Sequence, residues 1–164
     1  MIKIIEGNLF DTTAPVIAHQ VNCKGVMGSG VARQIKKKYP DVFYQYQSLC
    51  HANYPKMLLG LAQPCHTKTD SKIIVNLFGQ ETYGYDNTNQ YTDVSALIQS
   101  LYGLKYFMYG HKEKRIALAY RTGCARGGAN WDKEVYPAIR AIFLGSGIDI
   151  ELWELPEGVN DNEL

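Results

Sequence analysis

Residues 16–35 (VIAHQVNCKGVMGSGVARQI) limit what this chain can fold into more than any other stretch. They read as a buried strand, a glycine loop and the first turns of a helix. Glycine lets a backbone adopt positive φ and approach a ligand closely. A helix that starts right after such a loop presents free N–H groups and a partial positive charge. Strand, glycine loop and helix in that order build an anion site, and a phosphorylated small molecule is the ligand class to expect.

The rest of the chain extends this pattern. Short β-rich runs fall at Ile2 to Ile5, Val16 to Val21, Leu61 to Thr67, Ile73 to Phe78, Ile116 to Tyr120 and Ile148 to Leu155. Between them, Val31, Ile35 and Tyr39 share a helix face that Pro40 stops, and Val42, Tyr46 and Leu49 suggest a second short helix. Val94, Leu97, Ile98, Leu101 and Leu104 mark a long third helix, and Val135, Ile139, Ile142 and Phe143 a fourth that ends near Gly145. Strands alternating with helices predict an α/β sandwich with a mixed, mostly parallel sheet covered on both faces. With 164 residues the chain fits one domain over 1–156, and Glu157 to Leu164 reads as a frayed tail.

Composition excludes several classes. A formal charge of +1 and a charged content of 20% give no polyelectrolyte signal, so nucleic-acid binding is disfavoured. No stretch approaches the length of a membrane span and the N-terminal residues do not read as a leader, which points to the cytoplasm. Cys23, Cys50, Cys65 and Cys124 form no C-x-x-C pair, which reads as reduced thiols and disfavours a zinc site. The positions six residues after them hold Ser29, Lys56, Ser71 and Asn130, so no arginine is spaced for a cysteine-dependent phosphatase. The pair Gly28-x-Gly30 lacks the third glycine of a dinucleotide fingerprint, and no P-loop occurs.

A second glycine segment, Thr122-Gly123-Cys124-Ala125-Arg126-Gly127-Gly128, follows the Ile116 to Tyr120 strand and precedes a helix. Each glycine costs roughly 1 kcal/mol in ordering relative to alanine, which argues for a purpose beyond a turn. Two such loops at strand ends would make a clamp. Trp131 reads as a helix cap packed on the core, Lys36 to Lys38 as a solvated helix end, and Tyr44, Tyr46, Tyr83, Tyr85 and Tyr91 as core and surface filler. His19 shares a strand face with Ile17 and Val21, two residues from the end of the strand. Two readings are open for it: a hydrogen-bonded core histidine, or a general base titrating near ~6.5. Asn22 closes the strand, either capping the turn or offering donors and acceptors to sugar hydroxyls. Glu81 and Asp86 are loop carboxylates that could polarise water.

Glu6-Gly7-Asn8-Leu9, the run Ala18-His19-Gln20-Val21-Asn22-Cys23 with Gly28-Ser29-Gly30-Val31-Ala32, and Gly123 to Trp131 together resemble the macrodomain family over residues 2 to about 155. The resemblance implies a three-layer α/β/α fold that binds ADP-ribose, with no cofactor or metal. By position it places Asn8, where the family usually has Asp, and Leu9 at the adenine. It sets Asn22, Gly28, Ser29, Gly30 and Val31 at the distal ribose, and the N–H groups of Thr122, Gly123, Cys124, Ala125, Arg126, Gly127 and Gly128 at the phosphates. The chain is most similar to the branch that removes phosphate from ADP-ribose 1''-phosphate, which implies catalytic roles for His19 with Asn22. The related branch that cleaves ADP-ribosyl bonds uses a lysine and, in one subgroup, an aspartate, where this chain has about Gln80 and Gly127. The implied partners are ADP-ribose, its 1''-phosphate, or ADP-ribosylated macromolecules, read by an enzyme or by a binding module without catalysis.

Overall fold

The strand that opens the first glycine motif, Val16–Asn22, is buried along almost its whole length, and the sheet is assembled around it. The computed structural model describes residues 1–159; of the tail expected over 157–164, residues 160–164 lie outside the described residues, and 157–159 are exposed. The elements in chain order are β1 (Ile2–Glu6), β2 (Val16–Asn22), α1 (Gly30–Lys38), α2 (Pro40–His51), α3 (Pro55–Leu58), β3 (Ala62–His66), β4 (Ile73–Gln80), α4 (Val94–Tyr109), β5 (Arg115–Ala119), α5 (Tyr136–Phe143) and β6 (Asp149–Glu154). The six strands lie in the order β1-β6-β5-β2-β4-β3. All neighbours run parallel except β3, which pairs antiparallel with β4 at the edge.

Alternation along β2 sorts the core into two layers. Val16 and Ala18 point toward α4 and α5, where they pack with Leu97, Leu101, Ile139 and Phe143. Ile17 and Val21 point the other way, toward α1 and α2, where they meet Ile35, Val42, Tyr46 and Phe78. Helices therefore cover both faces of a mixed, mostly parallel sheet, as the sequence pattern predicts. Trp131 is buried between Tyr120 and Tyr136, with ring centroids 5.0 and 5.5 Å away, so it caps the helix against the core as expected. A single π-helical turn, Trp131–Val135, leads into α5, and a 3₁₀ turn, Leu9–Asp11, follows β1.

One end of the sheet is tied by a polar cluster. Glu151, almost fully buried on β6, accepts from the Thr12 hydroxyl at 2.7 Å and the Trp153 indole at 3.0 Å, and pairs with Arg115 at 3.3 Å and Lys3 at 3.7 Å. Burial opposes its charge, but these donors and cations outweigh it and hold its carboxyl below the usual range.

The topology fixes where a site forms. β2 and β5 are parallel neighbours, with Val16 opposite Ile116 and Ala18 opposite Leu118, so the loops leaving their carboxyl ends emerge side by side. These are the two glycine segments.

Candidate functional site

A cleft of about 360 Å³ lies between those loops. Ser29 and Arg126, from segments almost a hundred positions apart in the chain, both line it. A smaller hollow of about 260 Å³, lined by Asn8, Leu9, Phe10 and Trp153 among others, shares Val31, Ala119, Tyr120, Arg121 and Ala125 with the first. The two form one continuous trough across the end of the sheet.

The first loop is shaped by Asn22. Its Nδ2 donates to the Val26 carbonyl at 2.7 Å, and its Oδ1 accepts from the Lys24 N–H at 2.9 Å and the Tyr46 hydroxyl at 2.9 Å. The side chain expected to act on substrate is thus committed to folding the loop back on itself, an Asx turn bolted to a buried tyrosine. Gly28, Ser29, Gly30 and Val31 follow on the cleft wall. Gly30 has φ of 54°, which favours glycine, and Ser29 at the N-cap of α1 makes no side-chain capping bond. The first N–H groups of α1 therefore lack a side-chain cap and belong to residues that line the cleft.

The second loop folds on its own backbone. The N–H groups of Thr122, Cys124, Gly128 and Ala129 donate to Ala119, Arg121, Cys124 and Gly123 carbonyls. Among the described residues, those of Gly123, Ala125, Arg126 and Gly127 have no acceptor within the protein. Thr122 through Gly127 line the cleft, but Gly128, expected among the binding residues, does not. Gly128 instead packs behind the loop, where a Cβ would lie 3.2 Å from Asn89 O and Gln90 Cα. At Gly127 a side chain is excluded, because its Cβ would overlap Thr92 Oγ1 and the Gly123 carbonyl. The position where the ADP-ribosyl-cleaving subgroup has an aspartate has room only for hydrogen here.

His19 departs from the expectation of titration near ~6.5. It lines the cleft but is only 2% exposed. It sits opposite Asn76 on β4, with Nε2 2.7 Å from Asn76 Oδ1, and Asn76 in turn donates from Nδ2 to Gln63 Oε1 on β3 at 3.0 Å. Because Asn76 donates through Nδ2, its Oδ1 is the acceptor, so His19 carries its proton on Nε2 and leaves Nδ1 as a bare lone pair. Nδ1 is sealed from solvent and has no partner. Burial pushes the pKa of His19 down to about 4, against an opposing effect of the Asn76 hydrogen bond, so it does not titrate near 6.5.

Asn8 and Leu9 lie in the smaller hollow, where Asn8 Oδ1 accepts from the Phe10 N–H at 3.0 Å and caps the 3₁₀ turn. Asp86, expected as a possible acid partner, caps its own loop through Thr88 and Asn89, and neither it nor Glu81 lines the cleft.

Sequence reasoning missed several lining residues. Tyr83, Tyr85 and Tyr91, read as filler, all face the cleft, as do Gln20, Gln80 and Arg121. Gln20 donates from Nε2 to Thr92 Oγ1 at 2.9 Å, and Thr92 passes its proton to the Gly123 carbonyl at 2.8 Å, which ties the second loop to β2. The available signal was the clustering of three tyrosines and two glycines in residues 79–91, directly after a strand end. Among the described residues the cleft lining contains two arginines and no Asp or Glu.

With this geometry in place, comparison with known proteins gives a class. The family model for the macro domain matches residues 18–119, more than half of the 164 residues, and the chain belongs to the macrodomain family. An ADP-ribose 1''-phosphate phosphatase of Debaryomyces hansenii is 38% identical over 68 residues, covering 37% of this chain and 38% of that protein. A DNA ADP-ribosyl glycohydrolase of Mycobacterium tuberculosis is 40% identical over 50 residues, covering 30% of this chain and 14% of that protein. These matches span less than two-fifths of the length of either relative. The solved structure of Thermosipho africanus DarTG in complex with ADP-ribose aligns with a TM-score of 0.76 at 20% identity, covering 97% of this chain and 42% of that one, a likeness of fold.

Proposed function

We propose that the protein binds ADP-ribose in the trough between its two glycine loops and hydrolyses a bond at the distal ribose, with removal of phosphate from ADP-ribose 1''-phosphate the best-supported reaction. The observation that carries this reading is a cleft lined by residues of both loops whose N–H groups are uncommitted, with two arginines and, among the described residues, no carboxylate in its lining; the adjoining smaller hollow adds Glu154. Charge that develops on phosphoryl oxygens is stabilised by donors already pointed at it. The start of α1 and the N–H groups of Gly123, Ala125, Arg126 and Gly127 are such donors. In this reading His19 is a neutral base whose Nδ1, the open end of the Gln63–Asn76–His19 relay, accepts a proton from the attacking water. Cleavage of a glycosidic ADP-ribosyl bond draws less support, since its usual acid and base are carboxylates; an ADP-ribosyl ester remains a related substrate.

A second reading has its own observation. His19 Nδ1 is sealed, so water reaches it only if neighbouring side chains shift, and a protein in which they do not shift is a reader that binds ADP-ribose without turnover. The test is calorimetry with ADP-ribose, followed by phosphate release from ADP-ribose 1''-phosphate. The hydrolase reading expects His19→Ala to lower turnover by roughly tenfold or more while ADP-ribose affinity changes less than about threefold. Binding without turnover in the parent protein selects the reader. Failure to bind ADP-ribose overturns both.

A further inference from the structure

We infer that Arg126, resting on the ring of Tyr85 at the cleft mouth, recognises an additional anionic group of the phosphate-monoester class, carried on the end of the ligand that lies in the larger hollow. This rests on the reading of the trough as an ADP-ribose site. The guanidinium of Arg126 lies 4.9 Å from the centroid of Tyr85. Tyr85 also leans on the opposite loop, its hydroxyl 3.9 Å from where a Cβ on Gly28 would sit, so this one ring spans the mouth from the first loop to the second. Among the described residues Arg126 has no carboxylate partner.

The two cleft arginines occupy different places. Arg121 lines both hollows, at their junction, where a group bridging the two would pass. Arg126 lines the larger hollow alone, beside Tyr85. A diphosphate lying across the junction is served by Arg121 and by the N–H groups of the second loop, and this leaves the side chain of Arg126 unassigned at the far end. A guanidinium fork matches a phosphate through two parallel charged hydrogen bonds, which are stronger than contact with an exposed aromatic face. Tyr85 is 71% exposed, so its hold on Arg126 is of that weaker, solvated kind. Arrival of a dianion therefore moves Arg126 from ring to phosphate with little opposing cost. Among the described residues no acidic side chain of the cleft lining competes for it.

The probe pair is ADP-ribose and a hydrolysis-resistant analogue of its 1''-phosphate in which a methylene replaces the bridging oxygen, titrated calorimetrically into the full chain. The parent protein is expected to bind the phosphonate roughly tenfold or more tighter than ADP-ribose. Arg126→Gln should shrink that ratio to within about twofold. Tyr85→Ala, which removes the resting surface and keeps the cation, should preserve or raise the ratio. Arg126 is exposed, so thermal melts of Arg126→Gln should match the parent. A ratio that survives in Arg126→Gln, or a parent that shows no preference for the phosphonate, overturns the assignment of Arg126 alone. A parent that binds neither compound overturns the assignment together with the ADP-ribose reading beneath it.

Discussion

The two glycine loops face each other across one cleft and are held by opposite means. The first is braced from below by side chains: Asn22 ties Lys24, Val26 and Tyr46 together, and Tyr46 is fully buried in the layer under α1 and α2. The second is held mostly from the side, by backbone turns and by the neighbouring loop, through Thr92 Oγ1 on the Gly123 carbonyl and the N–H groups of Tyr91 and Thr92 on the Gly127 carbonyl, with Gln20 of β2 on Thr92 Oγ1 as its side-chain link to the sheet. A loop anchored in the core shares the stability of the whole fold, whereas a loop anchored to another loop opens locally at lower cost. The difference assigns the first wall a fixed role and the second wall, with Tyr85 and Arg126, an adjustable one.

The largest effect should come from the first wall. Asn22→Ala removes the partners of a backbone N–H and a carbonyl and one of the two Asn22 oxygens that the Tyr46 hydroxyl meets, and should lower unfolding free energy by about 2–3 kcal/mol, at roughly 1 kcal/mol per bond. Urea unfolding measures the loss, and calorimetry should show ADP-ribose affinity falling with it. A variant that keeps its stability and loses only binding would mean that Asn22 touches ligand and does not build the loop.

The histidine at the cleft floor gives a pH test of nearly the same size. Its folded pKa of about 4 lies below the value near 6.5 of an exposed histidine, so between those values the unfolded chain holds the proton and the folded chain does not. That contribution is complete above pH 6.5 and disappears as the pH falls to 4; a gap of 2.5 pKa units corresponds to about 3 kcal/mol. Glu151, also held below its usual range, loses stability in the same direction at lower pH. His19→Gln should flatten the dependence between pH 6.5 and 4, read by urea midpoints at several pH values. If His19 is the base for hydrolysis, the acid limb of kcat/KM should fall near pH 4 rather than near 6.5.

The second wall should separate binding from stability. Gly127→Ala forces a methyl group onto Thr92 Oγ1 and the Gly123 carbonyl, so the loop must shift. Because that loop is supported laterally, the expected cost is about 1 kcal/mol in stability, against a loss of roughly tenfold in ADP-ribose affinity. Thermal melts and calorimetry on the same sample supply both numbers. A loss of stability comparable to Asn22→Ala would erase the contrast between the walls.

How much of this was legible in the sequence follows the same division. Strand and helix positions came within two residues for the β-rich runs, because hydrophobic period reports burial directly. The turns at Leu9–Asp11 and Trp131–Val135 and the short α3 were not anticipated, since a few residues carry no period and tertiary contacts decide them. Both glycine loops were readable from composition and their place at strand ends. The roles of Asn22 and His19 were not, because they depend on Tyr46, Asn76 and Gln63, partners distant in the chain. Tyr83, Tyr85 and Tyr91 were hidden for another reason: an aromatic side chain in a loop has the same local signature whether it faces solvent, core or cleft.

The smallest and most discriminating comparison deletes one hydroxyl from each wall. Tyr46→Phe removes the bond from a buried phenol to Asn22 and leaves the ring in its core position beside Phe43 and Phe78. Thr92→Val removes the link between Gln20 and the Gly123 carbonyl and keeps the side-chain shape. Each deletes hydrogen bonding worth about 1 kcal/mol, so chemistry alone predicts equal consequences. Architecture predicts unequal ones. In the first wall the loss should appear as global stability, with affinity reduced in proportion. In the second the loop can reorient while the core stays intact, so affinity should fall several-fold with less than about 1 kcal/mol lost on unfolding. Equal ratios of affinity loss to stability loss in the two variants would show that both walls belong to one cooperative unit, and Arg126 would then ride on a rigid frame.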